Sequence, residues 1–330
     1  MKETNKLPYL ENGDPMPVLA APMAGVTDKV YRRILREMGV DYCFTEMVCA
    51  KALVYRNKKT QTLLDISGEE AYCGVQLFGA NPMEMAEAAR YAEEHGARVI
   101  DINMGCPVPK VVNNGEGSAL LKDPILAEKI LRRVTEAVSV PVTVKLRRGF
   151  DNDEKGYDLA LRLEQAGAAA ITVHGRDRVQ YYSGKADWEF IGKVKDALSV
   201  PVIGNGDIFT VADAFAMAEK TGCDGVMVAR GLEGNPWLIR NTQNKKRGLP
   251  EETPAPAEIV SLALRQLRDC VDLYGEWLGI RFMRKFLGWY IRGFRDSAAA
   301  RNELNRLTET AAIEEYLLRW AENAARNGEK

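Results

Sequence analysis

Cys106 is the side chain around which any chemistry in this sequence must be arranged. It lies in Asn103-Met104-Gly105-Cys106-Pro107, directly after an apolar run of strand length over 98–103. Gly105 and Pro107 bracket the cysteine, so neither a helix nor a sheet ladder continues through it. Asn113, Asn114, Gly115 and Gly117 follow before Ser118, and the segment reads as a long, adaptable loop closing over a strand end. A thiol in that position serves chemistry rather than packing. Lys145 closes a second apolar run, where it can hold a negative charge, form a Schiff base or sit in a structural ion pair.

The elements that must position these groups recur evenly. Eight apolar runs stand at 17–21, 41–46, 72–77, 98–103, 141–146, 168–174, 201–205 and 224–229. Amphipathic helical patterns lie between them at 29–38, 83–94, 124–138, 157–165, 188–198 and 211–220, with Gly39, Gly96, Gly167 and Gly222 where helices should end. Strand alternating with helix eight times, with strands apolar on both faces, predicts a (β/α)8 TIM barrel. A doubly wound sheet is the alternative, and the even spacing favours closure. The pattern changes near Gly248, where 249–256 is a proline-rich polar linker. Helical patterns then run at 258–274, 279–295 and 304–326, and predict a small all-helical C-terminal domain. The boundaries read from this are 1–248 for the barrel and 249–330 for the helical domain.

A barrel of this kind works at the C-terminal ends of its strands. There the sequence places Pro22-Met23, Glu46, Gln76, Asn103, Lys145, His174, Asn205 and Arg230. One polar strand end is a capped turn; seven together predict a ligand site. Gly204-Asn205-Gly206-Asp207 and Ala229-Arg230-Gly231 are glycine-bearing turns after the seventh and eighth strands, where such barrels grip phosphate. They point to a phosphorylated cofactor.

Composition narrows the field. The 330 residues suffice for a large domain and a small one, and the net charge of −1 gives no global attraction to nucleic acid. No apolar run reaches membrane-spanning length, and residues 1–8 lack a signal-peptide core, so a cytoplasmic location is expected. Six cysteines without CxxC spacing and two histidines argue against a metal site. Cys43, Cys73 and Cys270 read as small buried hydrophobes, and disulfides are not expected.

With these motifs in place, the chain resembles the tRNA-dihydrouridine synthases, and the bacterial B type most. The resemblance rests on Ala21-Pro22-Met23-Ala24-Gly25-Val26-Thr27-Asp28, Asn103-Met104-Gly105-Cys106-Pro107 and Gly115-Glu116-Gly117-Ser118-Ala119-Leu120. Val144-Lys145-Leu146-Arg147, His174-Gly175-Arg176, Gly204-Asn205-Gly206-Asp207-Ile208 and Ala229-Arg230-Gly231 complete it. It implies an FMN barrel that uses NADPH, or NADH, to reduce uridine in tRNA. Pro22, Met23 and Ala24 would line the flavin, Gln76 and Lys145 would bond its ring edge, and His174 would lie beside it. Asn205, Gly206, Asp207, Ala229 and Arg230 would hold the phosphate side. Cys106 would be the general acid, Asn103 would hold the uracil edge, and Arg178 would contact substrate. Asp177 stands where the family pattern has a small hydroxyl residue.

The chemistry is coherent on its own terms. Reducing a C5–C6 double bond takes a hydride at one carbon and a proton at the other. A thiol of unperturbed pKa about 8.5 is mostly protonated at neutral pH and can donate. A base inside folded tRNA must be extruded to be reached. Arg281, Arg284, Lys285, Arg292 and Arg295 would share an arc of about 100° on one helix. With Phe282, Phe286, Trp289 and Tyr290 opposite as core, that stripe is a candidate phosphate-binding face for tRNA. Two other functions compete: an FMN barrel acting on a free pyrimidine, as in dihydroorotate dehydrogenases, and a non-catalytic RNA-binding protein. A free pyrimidine needs neither linker nor basic helices, and a dead barrel needs neither Cys106 nor Lys145. A Rossmann GxGxxG is absent, so NADPH would bind transiently, and a monomer is expected.

Overall fold

The computed structural model describes residues 6–11 and 13–326. Its strands are β1 (Val18–Ala20), β2 (Cys43–Phe44), β3 (Val48–Cys49), β4 (Cys73–Phe78), β5 (Ile100–Met104), β6 (Val142–Arg147), β7 (Ala170–His174), β8 (Val202–Asn205) and β9 (Gly225–Val228). All pair in parallel, in the order β1-β9-β8-β7-β6-β5-β4-β2. β3 adds a second rung on β4 through Val48↔Leu77, so β2 and β3 together fill one stave. A Leu19↔Tyr42 bridge joins β1 to the run entering β2 and completes the ring. The chain is therefore a (β/α)8 barrel with eight staves, as the spacing predicts.

Strand interiors are buried on both faces, which is why the sequence reads as continuous apolar runs rather than alternation. Leu7, Tyr9, Leu19, Tyr42, Phe44, Val99 and Ile203 belong to one buried apolar cluster, against which Met23 and Ala229 pack.

The connecting helices are α1 (Lys29–Glu37), α2 (Ala50–Val54), α3 (Lys58–Leu64), α4 (Pro82–Glu94), α5 (Pro109–Val112), α6 (Pro124–Ala137), α7 (Lys155–Gln165), α8 (Trp188–Ala197) and α9 (Val211–Thr221). Local chemistry starts them. Asn81 and Asp123 cap α4 and α6 just before a proline at the first helical position. Thr210 and Asp213 form a reciprocal capping box on α9, and Gly222 ends it in the left-handed region.

The chain divides into two compact units, residues 1–29 with 40–230 and residues 30–39 with 231–330. The second unit takes in most of α1 together with α10 (Trp237–Lys246), α11 (Pro256–Tyr274), α12 (Glu276–Tyr290), α13 (Ser297–Arg306) and α14 (Thr310–Arg326). The Tyr31 ring packs against Phe286 at 5.0 Å between centroids with the planes tilted by 58°, and its hydroxyl donates to the Leu232 carbonyl. The polar linker is pinned: Asn241 donates to the Glu252 carbonyl at 2.8 Å and accepts its N–H at 2.9 Å.

Two helix boundaries differ from the sequence reading. The helix expected over 279–295 stops at Tyr290, and Gly293 and Asp296 then adopt φ of +90° and +57°. The helix expected over 304–326 is two helices. The Glu276 carboxylate accepts from the Thr310 N–H at 2.9 Å and the Thr310 hydroxyl at 2.8 Å, so α14 starts afresh there. The basic stripe is corrected accordingly: Arg281, Arg284 and Lys285 share α12, whereas Arg292 and Arg295 lie on the turn beyond it. Of the four aromatics expected as core, Phe286 and Tyr290 are buried and Phe282 and Trp289 half-buried; Arg281, Arg292 and Arg295 are exposed, and Arg284 and Lys285 half-buried.

Candidate active site

Strand register assembles the polar rim. Gln76 stands beside Asp101, Asp101 beside Thr143, and Asn103 beside Lys145. Further round, Arg147 stands beside His174, His174 beside Asn205, and Asn205 beside Met227. Side chains two apart share a face, so Asp101 with Asn103, and Thr143 with Lys145 and Arg147, point the same way.

On the β4–β6 side these groups form a directed chain of hydrogen bonds. Thr143 Oγ1 donates to Asp101 Oδ1 at 2.6 Å, and Gln76 Nε2 donates to Asp101 Oδ2 at 2.7 Å. Asn103 Nδ2 donates to Gln76 Oε1 at 2.9 Å. Asn103 Oδ1 then accepts the N–H groups of Gly105 at 3.1 Å and Cys106 at 2.9 Å. The strand-end amide thus folds the chain into the turn that carries the thiol. The following segment is more ordered than the expected open loop: it holds α5 and a 3-10 helix over Gly117–Lys122, and Ser118 N–H donates to the Cys106 carbonyl at 3.1 Å. A Cβ at Gly117 would lie 2.9 Å from that carbonyl oxygen, so only glycine lets the segment close on Cys106.

Burial pushes the Cys106 thiol up, with Arg147 and a Val108 backbone hydrogen bond pulling it back. Arg147 reaches the same turn, its Nε donating to the Gly105 carbonyl at 2.8 Å. Burial lifts Asp101 to about 6, against the pull of Gln76, Thr143 and Lys145. Burial, then Arg147, lowers Lys145 to about 7, with Asp101 opposing.

The β7–β9 side is ionic. Lys145 Nζ donates to Asn205 Oδ1 at 2.7 Å, and Asn205 Nδ2 donates to the Met227 carbonyl at 2.7 Å. Asp207 pairs with Arg176 at 2.8 Å and Arg230 at 3.2 Å, and accepts the Ala186 N–H at 2.7 Å. Arg230 also lies over the rings of Tyr182, at 4.8 Å, and Phe209, at 5.4 Å. Burial, then Arg147, Lys145, Arg176 and Arg230, holds His174 well below the usual imidazole range, so it stays neutral in a positive surrounding. Gly206 has φ of +122°, and a Cβ there would lie 2.7 Å from Ala186 Cβ and 2.9 Å from His174 Cδ2.

The remaining expected residues fall on the adjoining turns. Pro22, Met23 and Ala24 follow β1 in a turn closed by the Met23 carbonyl, which accepts from Val26 at 2.9 Å and Thr27 at 3.0 Å. Ala229 precedes Arg230 at the end of β9. Arg178 lies over the Phe150 ring at 5.1 Å, and its N–H donates to the Gly149 carbonyl at 2.9 Å. Asp177 is buried, pairs with Arg148 at 3.1 Å and caps the Gln180 N–H at 2.9 Å, so it builds the loop. Asp101, Thr143, Arg147, Arg176 and Tyr182 were not among the expected site residues. Asp101, Thr143 and Arg147 were readable, since each stands two residues from an expected one on the same strand face.

Among the described residues no cluster of metal ligands occurs, and no helix is long and apolar enough to cross a membrane. Cys43, Cys73 and Cys270 are buried.

The solved structures similar to this chain include 6-hydroxypseudooxynicotine amine oxidase from Pseudomonas geniculata, with a TM-score of 0.55 and 14% identity over 74% of this chain and 50% of that one. A morphinone reductase variant matches with a TM-score of 0.52 and 12% identity, over 74% of this chain and 90% of that one. At that identity the likeness concerns the barrel fold. Sequence relatives are nearer. A probable tRNA-dihydrouridine synthase of Rickettsia bellii is 42% identical over 91% of this chain and 93% of its own. The tRNA-dihydrouridine synthase B of Pseudomonas aeruginosa is 40% identical over 90% of each. The dihydrouridine synthase family model matches residues 18–326. The chain belongs to the dihydrouridine synthase family.

Proposed function

We propose that this protein reduces uridines of tRNA to 5,6-dihydrouridine, with FMN as bound cofactor, NADPH as electron donor and Cys106 as general acid. The observation that carries the reading is the Cys106 turn, strapped by Asn103 beside a rim of Gln76, Lys145, His174 and Arg230.

The donor set suits a flavin mononucleotide. Arg176 and Arg230 share the single carboxylate of Asp207, which leaves one positive charge for a phosphate. The close approach at Gly206 leaves backbone there instead of a side chain, the arrangement that lets N–H groups reach a phosphate. Asn205, Asp207 and Ala229 would frame that end, with Pro22, Met23 and Ala24 against the ring. Lys145 and Gln76 would face the polar ring edge, and neutral His174 would donate or accept without adding charge. FMN, when bound, supplies the hydride to one carbon of the uracil C5–C6 bond.

Cys106 Sγ–H gives its proton to the other carbon. The raised thiol pKa keeps that proton in place at neutral pH, and the Arg147 charge stabilises the thiolate left behind. Solvent returns the proton. Asn103 Oδ1 is occupied by two N–H groups, so its contact with the uracil edge would use the second Nδ2 hydrogen, with a base carbonyl replacing its long 3.9 Å contact to Met47 Sδ. Arg178 would hold a neighbouring substrate group. The helical unit would bind tRNA phosphates through Arg281, Arg292 and Arg295, the exposed members of the expected basic stripe. Purified protein, FMN, NADPH and unmodified tRNA test the reading by nucleoside mass spectrometry. Dihydrouridine formation is expected, and NADPH oxidation that leaves uridine intact would refute it.

A further inference from the structure

We infer that Asp101 is a positioning residue for the Cys106 turn: it fixes which way the Gln76 and Asn103 amides point, and so holds the backbone of Cys106. This rests on reading Cys106 as the acid, but its test reads Cys106 directly and not turnover.

An isolated side-chain amide can flip end for end, exchanging donor and acceptor at little cost. Nothing in the Gln76–Asn103 contact alone prefers one orientation, because either amide can donate to the other. Asp101 removes the ambiguity. It is buried and accepts from Thr143 at 2.6 Å and Gln76 at 2.7 Å, one donor to each oxygen. An ionised carboxylate only accepts, so Gln76 must present Nε2 to it and Oε1 to Asn103. Asn103 must then donate through Nδ2 and turn Oδ1 to the N–H groups of Gly105 and Cys106. Every donor from Cys106 through Gln76 points toward Asp101. A flipped Asn103 would set its NH2 against two N–H donors and release the turn. Asp101 reaches no atom of Cys106 itself, so its effect travels through Gln76 and Asn103.

The test measures amide hydrogen exchange in the peptide spanning Gly105 and Cys106, and iodoacetamide alkylation of Cys106 followed by peptide mass spectrometry. Asp101→Ala is expected to speed both by about tenfold, the scale of one buried hydrogen bond left open. Asp101→Asn can keep Oδ1 toward Gln76 and turn Nδ2 to the Thr143 hydroxyl, which rotates to accept, so it should stay within about twofold of wild type. In an Asn103→Ala background, Asp101→Ala should add nothing, because the link it acts through is gone. If Asp101→Ala does not fold, Gln76→Met cuts the same chain one step nearer Cys106 and should give the same tenfold. Unchanged rates in the folded Asp101→Ala or Gln76→Met protein would overturn the inference. So would an Asp101→Asn protein as fast as Asp101→Ala, or additive effects of Asp101→Ala and Asn103→Ala.

Discussion

The two halves of the barrel rim use one buried or half-buried aspartate each, and use it in opposite ways. Between β4 and β6, Asp101 has neutral partners, Gln76 and Thr143, and sets the direction of an amide chain. Between β7 and β9, Asp207 has cationic partners, Arg176 and Arg230, and only partly cancels them. Directed hydrogen bonds from neutral donors fix geometry, whereas a surplus of guanidinium charge attracts an anion and tolerates small displacements. We propose that the first half manages the proton and the base and meets the flavin ring edge through Gln76 and Lys145, and that the second holds the phosphate end of the cofactor.

The largest expected effect comes from the end of the first chain. Cys106→Ala should lower dihydrouridine formation by about 100- to 10,000-fold, the range for a positioned general acid, while the flavin stays bound. The thiol is only half-buried, so thermal unfolding should move little. On the other half, Arg230→Ala should weaken FMN binding by about 10- to 100-fold in a fluorescence titration, the value of one charge-assisted contact. Cys106 reactivity in that variant should match wild type. An Arg230→Ala protein that keeps its FMN but alters the thiol would break the division between the halves.

A smaller effect is expected from cations in the helical unit. Arg281, Arg292 and Arg295 changed together to glutamate should weaken tRNA binding and reduce its salt slope by about two to three phosphate contacts. FMN affinity and Cys106 alkylation should be unchanged, which makes this variant the control for both halves.

The smallest effects are on stability against pH, and the halves differ in sign. Asp101 is raised to about 6 from 3.8, so across that window the folded protein holds a proton that the unfolded chain has released. Its contribution to stability therefore falls as pH rises from about 4 to 6, and Asp101→Asn should remove that fall. His174 is lowered well below 6.5, so below that pH the unfolded chain takes up a proton the folded protein refuses. Its contribution is lost as pH falls, and His174→Gln should flatten that loss. Each slope is bounded by about 1.4 kcal/mol per pH unit for one proton, read from urea unfolding at several pH values.

The sequence carried the barrel because burial on both faces leaves each strand a continuous apolar run, and eight runs at even spacing close. The four helix-ending glycines all take positive φ, from +63° at Gly222 to +101° at Gly167. The sequence did not carry the division of the C-terminal helices. The break before Thr310 is held by Glu276, 34 residues earlier, and locally only Thr308 and Thr310 hint at a helix start. The rim was legible residue by residue at the strand ends, but not its connectivity. Asp101 lies one layer below Asn103, and its role emerges only when register sets it between Gln76 and Thr143.

One measurement bears most directly on the division of the rim. Wild-type and Cys106→Ala proteins carrying FMN are first reduced with limiting NADPH, then mixed with unmodified tRNA in a stopped-flow instrument while flavin absorbance is followed. Both should consume NADPH at the same rate, since the residues assigned to the flavin on both halves are intact in each. Only the wild type should then be reoxidised by tRNA, at least about 100-fold faster than the variant. A Cys106→Ala protein reoxidised by tRNA as fast as wild type, with dihydrouridine in the product, would contradict the account.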